Sequence, residues 1–128
     1  MSYYLAKIVP LAFDEAVNRV TAALKQEGFG VLTDIDVQAT LKTKLGVDTP
    51  KYRILGACNP GFAHQALQLE NKLGVLLPCN VIVREESSNQ TEIAAIDPVS
   101  SMERTGNPKL AAIAEEVRVR LQRAIVQL

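Results

Sequence analysis

The chain has 128 residues and a mass of 13.9 kDa, the size of one ordinary domain, and we read residues 1–128 as a single unit. Hydrophobic residues make up 48% and charged residues 22%, which excludes a disordered chain and describes one able to build a core without metal or disulfide staples. Fourteen basic residues balance fourteen acidic ones, so the field that gathers nucleic-acid phosphates or anionic lipid is missing, and neither is an expected partner.

Tyr3–Val9 is aromatic and β-branched, which predicts a first strand ended by Pro10. Phe13, Ala16, Val17, Val20 and Leu24 then recur at helical spacing, with Asp14 and Glu15 in the first turn, where they suit the positive end of the helix dipole. Gly28 supplies a left-handed cap, and Phe29 is expected to fold back on Leu24. Gly30–Asp36 alternates apolar and polar residues as a half-buried strand does. Asp36 caps a short helix carrying Val37, Leu41 and Leu45, which Gly46 stops. Lys51–Cys58 is a third strand. Asn59-Pro60 reads as a cap followed by proline at the first helical position, opening a helix whose inner face is Phe62, Ala63, Ala66 and Leu67.

Cys79–Glu85 and Thr91–Asp97 are two further strands around the polar loop Glu86–Gln90. Asn107-Pro108 repeats the cap-plus-proline signal and opens a long last helix with Leu110, Ile113, Ala114, Val117, Leu121, Ala124, Ile125 and Leu128 on one side and a Glu116–Arg120 pair on the other. The strands cluster after the first helix. This predicts an α+β fold with a mostly antiparallel sheet and helices on one face; the alternation in Val31–Asp36 argues against a doubly wound parallel sheet.

Antiparallel neighbours bring the end of Lys51–Cys58 beside the start of Cys79–Glu85, so Cys58 and Cys79 are expected to meet, with Asp97 arriving at the same end of the sheet. Cys58 precedes a helix N-terminus, which favours a thiolate, and His64 lies one turn into that helix. Asn59, Asn80 and Asp97 flank a proline or cysteine at element boundaries; capping is their first expected task and a ligand role for their polar groups the second. The candidate ligand or thiol site is therefore Cys58, Cys79, Asn59, Asn80, Asp97 and His64. Free cysteine is among the most buried residue types, so inert packing competes with thiol redox chemistry and with metal binding. The twenty-one residues between Cys58 and Cys79 lack the short paired spacing of zinc sites, and no metal set is assigned. Phosphate-loop, dinucleotide and nucleophile-elbow motifs are absent from the sequence, and no catalytic residue is assigned. The N-terminus lacks the pattern of a secretory signal and the apolar runs are too short to span a membrane, so a cytoplasmic protein with reduced thiols is expected.

Three segments, Gly28–Val37 (GFGVLTDIDV), Tyr52–Pro60 (YRILGACNP) and Leu76–Glu85 (LLPCNVIVRE), together with Asp97-Pro98 and the last helix, resemble a bacterial and archaeal family known as a domain of unknown function, DUF302. The resemblance covers nearly the whole chain. It implies a β-α-β(4)-α, TATA-binding-protein-like fold, here with two short inserted helices, and a tendency to form homodimers. It aligns the family's two cysteines with Cys58 and Cys79, brings no established activity, cofactor or catalytic residue, and leaves the turn at Glu86–Gln90 without the glycine the family pattern leads one to expect. The expected function is a homodimeric small-ligand-binding or interaction module, with thiol redox chemistry or metal binding at Cys58 and Cys79 as the alternative.

Overall fold

The computed structural model describes residues 2–128. Five strands form one antiparallel sheet: β1 (Tyr4–Val9), β2 (Gly30–Asp36), β3 (Tyr52–Cys58), β4 (Cys79–Ser87) and β5 (Gln90–Ile96), in the spatial order β1-β5-β4-β3-β2. The helices are α1 (Phe13–Gln26), α2 (Val37–Leu45), α3 (Pro60–Leu69), α4 (Pro98–Glu103) and α5 (Ala111–Val126), with short 3-10 turns at Leu73–Leu76 and Pro108–Leu110.

Local chemistry accounts for most boundaries. The α1 C-terminus closes as the sequence predicts: the N–H of Phe29 donates to Leu24 O at 2.9 Å and that of Gly28 to Lys25 O at 3.1 Å, with Gly28 at φ +87° and the Phe29 and Leu24 side chains both buried in the core. Asp36 caps α2 by accepting from Ala39 N, and Gly46 ends it at φ +68°. Asn59 caps α3 with Pro60 following. The last helix departs from expectation at its start, where Asn107-Pro108 opens a 3-10 turn and α-geometry begins only at Ala111. Lys7 secures its other end: Nζ donates to Leu128 O at 2.7 Å and to Val126 O at 3.3 Å, a cation placed on the terminal carbonyls.

Two expectations need correction. Residues after Ile96 do not continue as strand: Asp97 leaves the sheet and caps the additional helix α4, a third use of the cap-plus-proline pattern in Asp97-Pro98. The strands of the β4–β5 hairpin also run further into the predicted loop, pairing Ser87 with Gln90 around a two-residue turn. Among the described residues no non-glycine has positive φ, so this turn has none of the left-handed geometry a glycine would supply. A bulge between Glu85 and Ser87 takes up the irregular register instead.

The two long helices cover one sheet face. Leu55, Ala57, Val81, Val83, Ile93 and Ala95 meet Phe13, Val20, Leu24, Val117, Leu121 and Ala124 there in the main core. A second, smaller core gathers Ala66, Leu73, Met102, Leu110 and Ala114, with Ile113 packed against both. On the opposite face, register pairs Tyr4 with Ile96, Ala6 with Ala94, Ile8 with Glu92, Ile82 with Ile54 and Ala94, and Ile35 with Ile54. None of Ile8, Ile35, Ile54 or Ile82 belongs to either core.

Candidate functional site

β3 and β4 are antiparallel neighbours, so the strand ends that carry the two cysteines do lie side by side. The register sets Cys79 opposite Ala57, one residue short of Cys58. Gly56, two residues before Cys58, leaves room for its neighbours on either side: a Cβ there would lie 2.1 Å from Thr33 Oγ1 and 2.7 Å from Pro78 Cγ. The thiols are free, Cys79 buried and Cys58 half-buried. Both line one cavity of about 30 Å³ at the seam between the two cores, together with Asn59, Phe62, Pro78, Met102 and further apolar side chains. That volume takes roughly two water molecules and no organic ligand, since ligand pockets run to roughly 300–1,000 Å³.

The remaining predicted site residues separate. Asn59 lines the cavity, and its Oδ1 accepts the α3 cap bond from Phe62 N at 3.4 Å. Asn80 adjoins Cys79 in a strand and therefore faces the other side of the sheet, where it is exposed. Asp97 does arrive at this end of the sheet, but its oxygens are occupied: Oδ1 accepts from Val99 N and Ser100 N, and Oδ2 from Arg118 Nε at 3.1 Å. His64 is exposed on α3, with its Nε2 3.4 Å from Gln68 Nε2. The constellation is thus two thiols and one amide, without a carboxylate or an imidazole.

Burial dominates the electrostatics of the pair. It pushes the Cys79 thiol up to about 11, with the neighbouring Cys58 adding in the same direction, and it also raises Cys58. The helix N-terminus after Cys58 does not outweigh desolvation, so both groups are thiols at neutral pH and an activated thiolate loses its support. Among the described residues, no three of His, Cys, Asp and Glu are grouped so as to hold a metal ion. The basic side chains of α5 are spoken for as well: Arg118 pairs with Asp97, Arg120 with Glu116, and Arg123 with Glu27.

A second feature escaped sequence reasoning. The open sheet face holds a groove of about 400 Å³ lined by Tyr3, Tyr4, Tyr52, Asn80, Ile82, Glu92 and the Ala94–Ile96 stretch. It gathers all three tyrosines of the chain. The signal was available in the alternation of Tyr52, Ile54 and Ile82 on positions facing away from the core, which only the register turns into one surface.

Fold and site together define an α+β protein with a five-stranded antiparallel sheet that carries one half-buried and one buried thiol at the adjoining tips of β3 and β4. The chain belongs to the family described as a domain of unknown function, DUF302, whose pattern matches residues 5–128. It is similar in structure to an uncharacterised conserved DUF302 protein from Bacillus stearothermophilus, known from a crystal structure: 30% sequence identity, TM-score 0.91, covering 99% of this chain and 98% of that one. No functionally curated protein matches it. Among the described residues no helix is long and apolar enough to cross a membrane.

Proposed function

We propose that the chain works as a homodimeric interaction module that self-associates through the open sheet face and holds a small ligand in the tyrosine groove of that face. The observation that carries this reading is the apolar character of a face left outside both cores, with Tyr4 45%, Ile8 53% and Ile35 48% exposed. Large contiguous apolar patches on soluble domains mark interaction sites.

A second copy is the occupant that fits best. The chain exposes 7375 Å², against roughly 6,700 Å² for a monomer of this mass. Net charge is zero, so two copies do not repel. Arg84, the cation on this face, is already paired with Glu92 and Glu86 of its own chain. The groove has the anatomy of a ligand pocket, with aromatic and apolar walls and two polar side chains, Asn80 and Glu92. A cytoplasmic setting belongs to this reading, as does a TATA-binding-protein-like classification of the fold; the order β1-α1-β2-β3-β4-β5-α5, with short helices inserted, supports the latter.

Sedimentation equilibrium at micromolar concentration tests the dimer. The expected mass is twice 13.9 kDa, and Ile8→Glu, at an exposed position, is expected to return it to a monomer. A wild-type chain that sediments as a monomer removes the proposal. Native mass spectrometry of protein purified from cells tests the groove: an adduct lost in Tyr52→Ala supports it, and an adduct-free spectrum opposes it.

A further inference from the structure

The register builds the tyrosine groove. Along the open face Ile54, Ile82, Ala94 and Ala6 face one another across β3, β4, β5 and β1. The row on one side of them is Tyr52, Arg84, Glu92 and Ile8, and on the other side Ile96 faces Tyr4. Strand alternation turns all of these residues to the same face of the sheet. The methyl side chain of Ala94 therefore lies among longer ones, and that difference in length makes the depression. Tyr3, just before β1, completes it: its ring meets that of Tyr4 with centroids 5.0 Å apart and planes at 77°, a near-perpendicular corner.

Charge decides what such a groove can hold. Glu92 is the one charged side chain among the described residues of its wall. Glu92 Oε1 accepts from Arg84 Nε at 2.7 Å, but the same guanidinium also pairs with Glu86. One cation shared by two carboxylates leaves a net negative charge beside the rings. The faces of tyrosine rings are the negative part of a quadrupole and attract cations, so carboxylate and rings both favour a positive ligand and repel an anion. A primary ammonium brings three N–H donors that each need an acceptor, whereas these walls are mostly aromatic and apolar. An alkylated ammonium keeps the charge without the donors. We propose that the tyrosine groove binds a free methylated ammonium compound, its charge held between the tyrosine rings and Glu92.

This inference rests on the reading above, in which the groove holds a small ligand, and names the class of that ligand. The groove of about 400 Å³ is of a size for a small molecule. In that reading a second copy closes the face, so the cation is a free compound and not the headgroup of a lipid surface.

The test compares three probes of one shape on the full chain: choline, its uncharged carbon isostere dimethylbutanol, and the anion dimethylbutyrate. Calorimetric titration gives the affinities. Intrinsic fluorescence gives a second readout, because the chain has no tryptophan and all of its tyrosines line the groove. Choline is expected to bind about three- to thirtyfold more tightly than dimethylbutanol, the range of a cation held over aromatic rings, with dimethylbutyrate weakest. Glu92→Gln is expected to weaken choline and leave dimethylbutanol unchanged. Tyr4→Leu, at a position 45% exposed, keeps the test readable if Glu92→Gln does not fold, and is expected to weaken choline by a similar factor. Dimethylbutanol or dimethylbutyrate binding as tightly as choline would overturn the cation and leave the ligand groove standing. Absence of binding by all three would overturn both. Chain carried down with phosphatidylcholine vesicles, in place of free choline binding, would overturn the free compound.

Discussion

The two sides of this sheet solve opposite problems with similar residues. On the helix-covered side, the strand tips meet two small cores and leave only about 30 Å³ unfilled, walled by apolar and sulfur-bearing side chains. On the open side, isoleucine and tyrosine side chains stand outside both cores, several of them exposed, around a groove more than ten times larger. Apolar area is stabilising only where it is removed from water. The first side therefore holds the fold together, and the second contributes its full hydrophobic free energy only when something else covers it. Function drawn from the buried side must be the chemistry of a few fixed atoms, whereas function drawn from the open side must be association.

The sharpest way to break that comparison is to truncate one apolar side chain on each side. Leu121 is fully buried beneath the sheet, and Leu121→Ala is expected to cost about 2–5 kcal/mol in urea unfolding through lost transfer energy and the cavity left behind. Ile8→Ala, on the open face, is expected to cost under about 0.5 kcal/mol in dilute chain, as exposed substitutions do. Its penalty should then grow with protein concentration, because covering the face is linked to association. Equal, concentration-independent costs at the two positions would erase the distinction between the faces.

The next effect is one of pH and belongs to the buried side alone. Cys79 holds its proton up to about 11 in the folded chain, whereas an unfolded thiol releases it near 9. Below pH 9 both states are protonated and the contribution is fully present. As pH rises from 9 through 11 the unfolded chain loses protons that the native chain keeps, so stability falls with pH. The loss is expected to reach roughly 2–3 kcal/mol. Cys58 shifts in the same direction and steepens the fall. Urea midpoints taken from pH 7 to 11 should drop in the wild type and drop less in Cys79→Ala. Parallel curves for the two proteins would mean that the thiol is more solvated than its burial indicates.

Much of this architecture was legible because its signals are local. A cap residue, a proline after it and a glycine at a left-handed position need only a few neighbours in sequence, and they correctly placed α1, α2 and α3. The same reasoning set the strand ends that carry Cys58 and Cys79 side by side, since antiparallel order puts one strand's end beside the next one's start, although the register faces Cys79 with Ala57. What failed was reasoning that lumped residues by sequence proximity. Asn80 was grouped with Cys79, although adjacent residues in a strand face opposite sides. Asp97 performs the capping expected of it first, and with its oxygens spent on α4 and Arg118 it is not free for the ligand role expected of it second. Overlooking α4 also hid Met102, the third sulfur of the cavity. The tyrosine groove was out of reach for a different reason: it is assembled from β1, β3, β4 and β5, and only the pairing register makes one surface of them.

Gly28 offers the smallest change that still separates the two sides. Its φ of +87° disfavours any side chain, and an added Cβ would lie 2.9 Å from Asn59 Nδ2. Left-handed strain costs about 1–2 kcal/mol, and the contact adds little because the end of the Asn59 side chain can move. Moving it has a consequence, however, since Asn59 caps α3 and borders the thiol cavity. Gly28→Ala is therefore expected to lower stability by about 1–2 kcal/mol and to speed alkylation of Cys58 in the folded chain, while leaving the sedimentation behaviour unchanged. Ile8→Glu is expected to do the reverse, altering sedimentation and leaving Cys58 alkylation at its wild-type rate. If either substitution moved both readouts together, the sheet would be transmitting strain between its faces, and cavity and groove would have to be treated as one site.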